Sequence, residues 1–174
     1  FYIHDKHINF RFDTTRLISG ITHGHIRSVV ACFYYLEFAR YIFLGKDKYW
    51  AYQTLKNDLI TFLHSFSIDA EELDIFNSLL KDNIFDKTRN EIKSSGYVIH
   101  TLEASIWCIL TTEDYSDAVL LAVNLGEDTD TTAAVTGGLA GLLYGLESIP
   151  AELRHRVARY NDIFELCTRF KTKY

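Results

Sequence analysis

The sequence predicts an all-helical protein, and three observations carry that expectation. One proline, Pro150, stands in 174 residues, so helix breakers are scarce. Apolar residues recur at a spacing near 3.6 through most of the chain, and no segment alternates apolar and polar residues as a strand does. Glycine and polar clusters fall between the periodic segments, where turns are needed.

Taken in order, residues 25–43 carry Ile26, Val29, Val30, Phe33, Leu36 and Ile42 on one helical face, with Thr22 as the candidate cap and Gly45 as the stop. A second helix is expected over 49–66, with Leu55, Leu59, Phe62 and Leu63 inward. A shorter third covers 71–80. Residues 82–97 are polar and contain Ser94-Ser95-Gly96, a loop signature. Residues 98–110 read as a buried helix through Leu102, Ile106, Trp107 and Ile109. Asp114 or Ser116 opens the next, which Gly126 breaks. A helix of small residues follows over 129–144, and Pro150 suits the first turn of a final helical pair. No linker, repeat or composition shift marks a second domain, so residues 1–174 are read as one unit.

Composition narrows the function. A net charge of −5 argues against nucleic acid as the main partner. No apolar run reaches the ~18 residues of a membrane span, and no signal peptide is visible. Cys32, Cys108 and Cys167 are odd in number and far apart, which predicts buried thiols in a reducing, cytoplasmic setting. No CxxC pattern offers a thiolate zinc site. Methionine is absent and the chain opens on Phe1, so a fragment of a longer protein is the favoured expectation. The opening His4-Asp5-Lys6-His7 reads as an ordinary polar terminus.

The most informative stretch is Gly126-Glu127-Asp128-Thr129-Asp130-Thr131. Two carboxylates and a hydroxyl within four positions suit a hard divalent cation. The same residue types also make good helix N-caps, so two readings compete here. Behind them, Gly137, Gly141 and Gly145 recur every four residues, a face that admits close approach by a neighbouring helix or by a ligand. Thr22-His23-Gly24-His25 places two imidazoles at a helix start, able to orient a ligand or to cap and pack. Ser95-Gly96-Tyr97-Val98 is a turn entering a helix, able to offer backbone N–H groups and a ring face.

Read in sequence, these segments continue through Leu102-Glu103-Ala104, Thr132-Ala133-Ala134, Gly137-Gly138-Leu139-Ala140-Gly141, Tyr144-Gly145 and Ile149-Pro150. From about Ser19 to Pro150 the chain resembles the C-terminal half of an ADP-ribosylglycohydrolase, the group that includes the dinitrogenase-reductase-activating glycohydrolases. The resemblance implies an all-helical fold and hydrolytic removal of ADP-ribose from modified side chains or related compounds, with two Mg²⁺ or Mn²⁺ ions. It makes Asp128, Asp130 and Thr131 metal ligands, with Asp128 and Asp130 catalytic and Asp130 reaching both ions. It places His23, Ser95, Gly96 and Tyr97 against ADP-ribose. It also implies a first half carrying a Thr-Asp-Asp-Thr motif. Asp13-Thr14-Thr15 is no substitute, having a single carboxylate in the wrong order. The expected partners are therefore ADP-ribose or an ADP-ribosylated protein and a first-half polypeptide. This chain alone is expected to turn over little. A non-catalytic, crystallin-like member or an ADP-ribose-binding module of the same fold is the alternative.

Overall fold

Ten α-helices follow one another in the computed structural model, which describes residues 2–4, 7–66 and 68–173. Among the described residues there is no strand. The helices are α1 (Ile8–Gly20), α2 (Ile26–Phe43), α3 (Lys48–Ser65), α4 (Ala70–Asp74), α5 (Asn77–Leu80), α6 (Val98–Thr111), α7 (Tyr115–Asn124), α8 (Thr129–Tyr144), α9 (Ala151–Arg156) and α10 (Tyr160–Lys173). Short 3₁₀ turns at Ile84–Asp86 and Arg89–Glu91 punctuate the long connection before α6.

Helix α6 is the axis of the molecule. Ten of its residues, from Ile99 to Leu110, are buried, so it is apolar nearly all round, as a helix enclosed by others must be. Helices α2, α7 and α8 pack directly on it. The core continues through Phe12, Phe33 and Phe62, whose rings meet edge to face at 5.0 and 5.4 Å from Phe12.

Caps explain the helix starts. The Asp47 carboxylate accepts from the amides of Tyr49 and Trp50 at the head of α3. The Asp114 carboxylate accepts from Asp117 N at the head of α7. Helix α2 differs from expectation: His25, not Thr22, caps it, with Nδ1 accepting from Arg27 N at 3.2 Å. Gly45, at φ +76, ends the α2 pattern in a left-handed turn that favours glycine.

Four other expectations are corrected. Helix α1 is absent from the sequence-based reading, because its buried stripe is Arg11, Phe12 and Thr15 rather than an apolar row. Arg11 survives burial because Glu37 of α2 takes its Nε and Nη2 at 2.6 and 2.7 Å, a bidentate pair. The stretch 71–80 forms two short helices, broken at residues 75 and 76, rather than one. Leu36 lies exposed on the cleft side of α2. Of the cysteines only Cys108 is buried, while Cys32 and Cys167 are exposed. The segment of Asp5 and Lys6 lies outside the described residues. No helix among the described residues is long and apolar enough to cross a membrane.

The α8 glycines pack against protein. A β-carbon on Gly137 would meet Tyr115 Oη of α7 at 3.4 Å, and one on Gly141 would touch Ile149 at 3.9 Å. Gly145 is not on the helical face; at φ +85 it terminates α8. The tightest approach is at Gly138, where a β-carbon would lie 2.7 Å from Tyr35 Oη of α2. Gly137, Gly138 and Gly141 thus serve close packing within the protein.

Candidate active site at the head of α8

The chain approaches α8 through two residues in the left-handed region, Gly126 at φ +89 and Glu127 at φ +53. Glycine takes that conformation freely, whereas a glutamate there is uncommon. The pair turns the chain sharply, so that Asp128 falls at the N-cap position of α8. Its carboxylate, however, accepts no hydrogen bond from the first turn of the helix. Asp128 thus occupies the place of a cap without acting as one.

The Asp128 side chain turns instead toward the 94–97 loop. A β-carbon at Gly96 would lie 2.9 Å from Asp128 Oδ2, closer than such contacts run, so this approach requires glycine. Two further bonds join the segments. Asp128 N donates to Ser94 O at 3.1 Å, and Ser94 Oγ donates to Gly126 O at 3.0 Å. Ser94 is buried beneath them. Sequence reasoning treated Ser94 only as loop vocabulary, and nothing in its immediate neighbours distinguishes it from Ser95.

Ser95 is half-buried and engaged, its Oγ lying 2.6 Å from His100 Nδ1 of α6. The Tyr97 ring is exposed, stands perpendicular to the His100 ring at 5.1 Å between centroids, and accepts at Oη from Arg27 Nη1 at 3.3 Å. Arg27 is held in turn by Glu72, through Nε at 2.6 Å and Nη2 at 2.8 Å. That pairing holds the Glu72 carboxyl below its ordinary value. Neither Arg27 nor Glu72 was singled out from the sequence; 45 residues separate them, and no local spacing signals the pair.

These loops border a broad cleft of about 1400 Å³ between α1, α2 and α8. His23, Gly96, Tyr97 and Thr131 line it together, with Arg27 and His25 beside them. His23 is exposed and its carbonyl accepts from Ser19 Oγ at 2.8 Å, which ties the 22–25 turn to the end of α1. Ser95, Asp128 and Asp130 are not part of the cleft wall. Asp128 is half-buried behind Gly96, and Asp130 is exposed in the first turn of α8. Thr131 follows Asp130 in that turn, and of the two only Thr131 lines the cleft.

As a donor set, Asp128, Asp130 and Thr131 are all oxygen, and an uncapped carboxylate is free to bind a hard cation. The set is also short. Among the described residues, no three His, Cys, Asp or Glu side chains converge to hold a metal. The residues fit part of a divalent-cation site rather than all of one.

A family model for ADP-ribosylglycohydrolase matches residues 1–174. Over 81 residues the chain is 57% identical to the ADP-ribosylarginine hydrolase Tri1 of Serratia proteamaculans (strain 568), which is 47% of this chain and 22% of the relative. It is 49% identical over 80 residues to the Tri1 protein of Pseudomonas putida (strain GB-1), 46% of this chain and 22% of that one. Against the ADP-ribosyl-(dinitrogen reductase) glycohydrolase of Rhodospirillum rubrum it is 36% identical over 59 residues, 34% of this chain and 20% of the relative. The matched segments thus span about a fifth of these relatives' length. A solved structure described as an ADP-ribosylglycohydrolase-related protein complex shares the fold, with a TM-score of 0.69 at 22% identity over 93% of this chain and 51% of that one. On the match along its whole length, the chain belongs to the ADP-ribosylglycohydrolase family.

Proposed function

We propose that this chain is part of a divalent-metal-dependent hydrolase that removes ADP-ribose from modified protein side chains, arginine adducts first among them. Asp128, Asp130 and Thr131 supply about half of its metal shell, and the remainder comes from polypeptide outside these residues. The observation that carries the reading is the Asp128 carboxylate. It stands at a helix start, declines the cap that a helix start offers, and is turned toward a glycine that leaves it room. A carboxylate at a helix start commonly accepts from the free amides, as Asp47 and Asp114 do in this fold. Names of the relatives support the substrate class, since two are ADP-ribosylarginine hydrolases.

The roles follow from position. Tyr97, the Gly96 backbone and His23 all line the cleft. We assign them the ADP-ribose moiety: a ring face and unencumbered backbone for the nucleotide, and an imidazole to orient the ribose. Asp128, Asp130 and Thr131 would hold Mg²⁺ or Mn²⁺ at the head of α8. When bound, a pair of such ions polarises ribose oxygens and lowers the pKa of water for attack at the anomeric carbon. The chain's own contribution is to fix these groups against one another through Ser94. A first-half polypeptide is the expected source of the missing carboxylates.

Mn²⁺ titrated into the purified chain and followed by electron paramagnetic resonance tests the site. The wild-type chain is expected to take up the ion weakly, and a chain carrying both Asp128→Asn and Asp130→Asn to lose that uptake. Unchanged uptake in the double variant overturns the assignment. Release of ADP-ribose from ADP-ribosylarginine by the 174-residue chain alone is expected to be close to background, and full turnover would overturn the claim that the site is half supplied.

A further inference from the structure

Arg27 is an unusual residue for its place. It is the second residue of α2, where the helix dipole is positive and a cation is disfavoured. No acidic residue accompanies it in that first turn. Glu72 of α4 offsets this by taking both Nε and Nη2 in a bidentate fork. The fork fixes the plane of the guanidinium and leaves Nη1 directed at Tyr97 Oη. Three elements that are distant in sequence therefore converge on one aromatic ring at the rim of the cleft. The same ring also meets the His100 ring edge to face at 5.1 Å, and Ser95 Oγ holds that imidazole.

We propose that Arg27 is a positioning residue for Tyr97. Locked by Glu72, its guanidinium sets where the Tyr97 ring stands at the lip of the cleft, and through that ring how tightly the cleft holds a nucleotide-sugar ligand. The proposal rests on reading the cleft as an ADP-ribose site. A tyrosine on an entry turn has free rotation about two side-chain bonds, and an exposed ring contributes to binding in proportion to how little freedom it must lose. Holding it beforehand through the Arg27 bond and the His100 contact lowers that cost. Arginine suits the task and lysine does not, since only a planar fork can engage a carboxylate twice and still aim a third donor.

The test is a double-mutant cycle. ADP-ribose is titrated by calorimetry, in the presence of Mg²⁺, into the 174-residue chain and its Arg27→Met, Tyr97→Ala and doubly substituted forms. Arg27→Met is expected to weaken binding about tenfold in the wild-type background and less than about twofold once Tyr97 is alanine, the non-additivity of residues that act through one another. Arg27→Lys, which keeps the charge without the fork, is expected to lose most of the affinity as well. Equal losses in both backgrounds, or full retention by Arg27→Lys, overturn the proposal. A second measurement needs no ligand. The nuclear Overhauser contact between the Tyr97 and His100 rings, 5.1 Å apart, is expected to vanish in Arg27→Met and in Glu72→Gln, while contacts of Phe12 with Phe33 persist. Its survival in both variants overturns the proposal whatever the titration gives. A wild-type chain that takes up no ADP-ribose refutes the reading of the cleft, and the ring contact then still decides the role of Arg27.

Discussion

The carboxylate of Asp128 and the α-carbon of Gly96 are packed so closely that a methyl group on residue 96 would lie 2.9 Å from Asp128 Oδ2. Glycine at 96 is thus a steric condition on where the carboxylate points. Gly96→Ala is expected to push Asp128 aside and to weaken Mn²⁺ uptake about tenfold or more, since a carboxylate ligand must be held within about half an ångström of its place. The same substitution is expected to change unfolding free energy by less than about 1 kcal/mol, because residue 96 is exposed in a loop. Paired metal titration and denaturant unfolding separate the two effects.

Gly138 and Tyr35 form a second close pair, with 2.7 Å between a β-carbon at 138 and Tyr35 Oη. The hydroxyl is not free to leave, since it donates to Val135 O at 3.2 Å. Gly138→Ala is expected to destabilise by about 1–3 kcal/mol, as overpacking does. With Tyr35→Phe also present the obstructing oxygen is gone, and the alanine is expected to cost much less or to stabilise by up to about 1 kcal/mol through helix propensity. Urea unfolding of the four forms checks the sign change.

Arg11 and Glu37 are each 5% exposed or less, and Tyr2 Oη donates to the same carboxylate at 2.8 Å. Glu37→Ala is expected to cost about 3–5 kcal/mol, because it removes two charge-assisted bonds from a buried guanidinium. Replacing Arg11 by Met and Glu37 by Leu together is expected to recover most of that loss. A double variant as unstable as Glu37→Ala in thermal unfolding would contradict this account.

Acid sensitivity is expected from Glu72. Its folded pKa is lowered, chiefly by the hydrogen bonds from Arg27. The stability it contributes is therefore fully present above the ordinary glutamate value of about 4.3 and is lost as pH falls through the lower folded value. Glu72→Gln is expected to flatten the stability curve between about pH 5 and pH 3 and to leave it unchanged in shape near neutrality. Circular dichroism melts across that range read the slope.

The three thiols are expected to differ. Cys32 and Cys167 are exposed, whereas Cys108 is enclosed and burial pushes its thiol up to about 12. At pH 8, an aromatic disulfide reagent is expected to titrate two thiols promptly and the third only on unfolding, because the thiolate is the reacting form. Prompt reaction of all three would show that α6 is not closed around Cys108.

Much of this arrangement is legible in the sequence because it is local. The bounds of α8 follow from Gly126 before it and Gly145 after it, and the burial of α6 from Leu102, Ile106, Trp107 and Ile109. Segments 22–25, 95–97 and 126–131 were each identifiable by residue type. What was not legible is long-range. Helix α1 hides its inward face behind an arginine whose partner lies 26 residues away on another helix. His25 as a cap requires a side-chain geometry that competes with Thr22 on equal compositional terms. The Glu72–Arg27–Tyr97 chain and the role of Ser94 exist only after α4, α2 and the 94–97 loop have met. The convergence of His23, Gly96, Tyr97 and Thr131 on one cleft is likewise a property of packing rather than of spacing.

The Ser94 bonds bear on the order in which the protein assembles. They join residues on either side of a span containing all of α6 and α7, so each closes a long loop at an entropic cost. The head of α8 is therefore expected to form late in folding. The Asp128 amide, which donates to Ser94 O, is expected to exchange slowly with solvent deuterium only while the two loops are joined. That single proton is a built-in gauge of whether the site exists, readable with no substrate, metal or second polypeptide present.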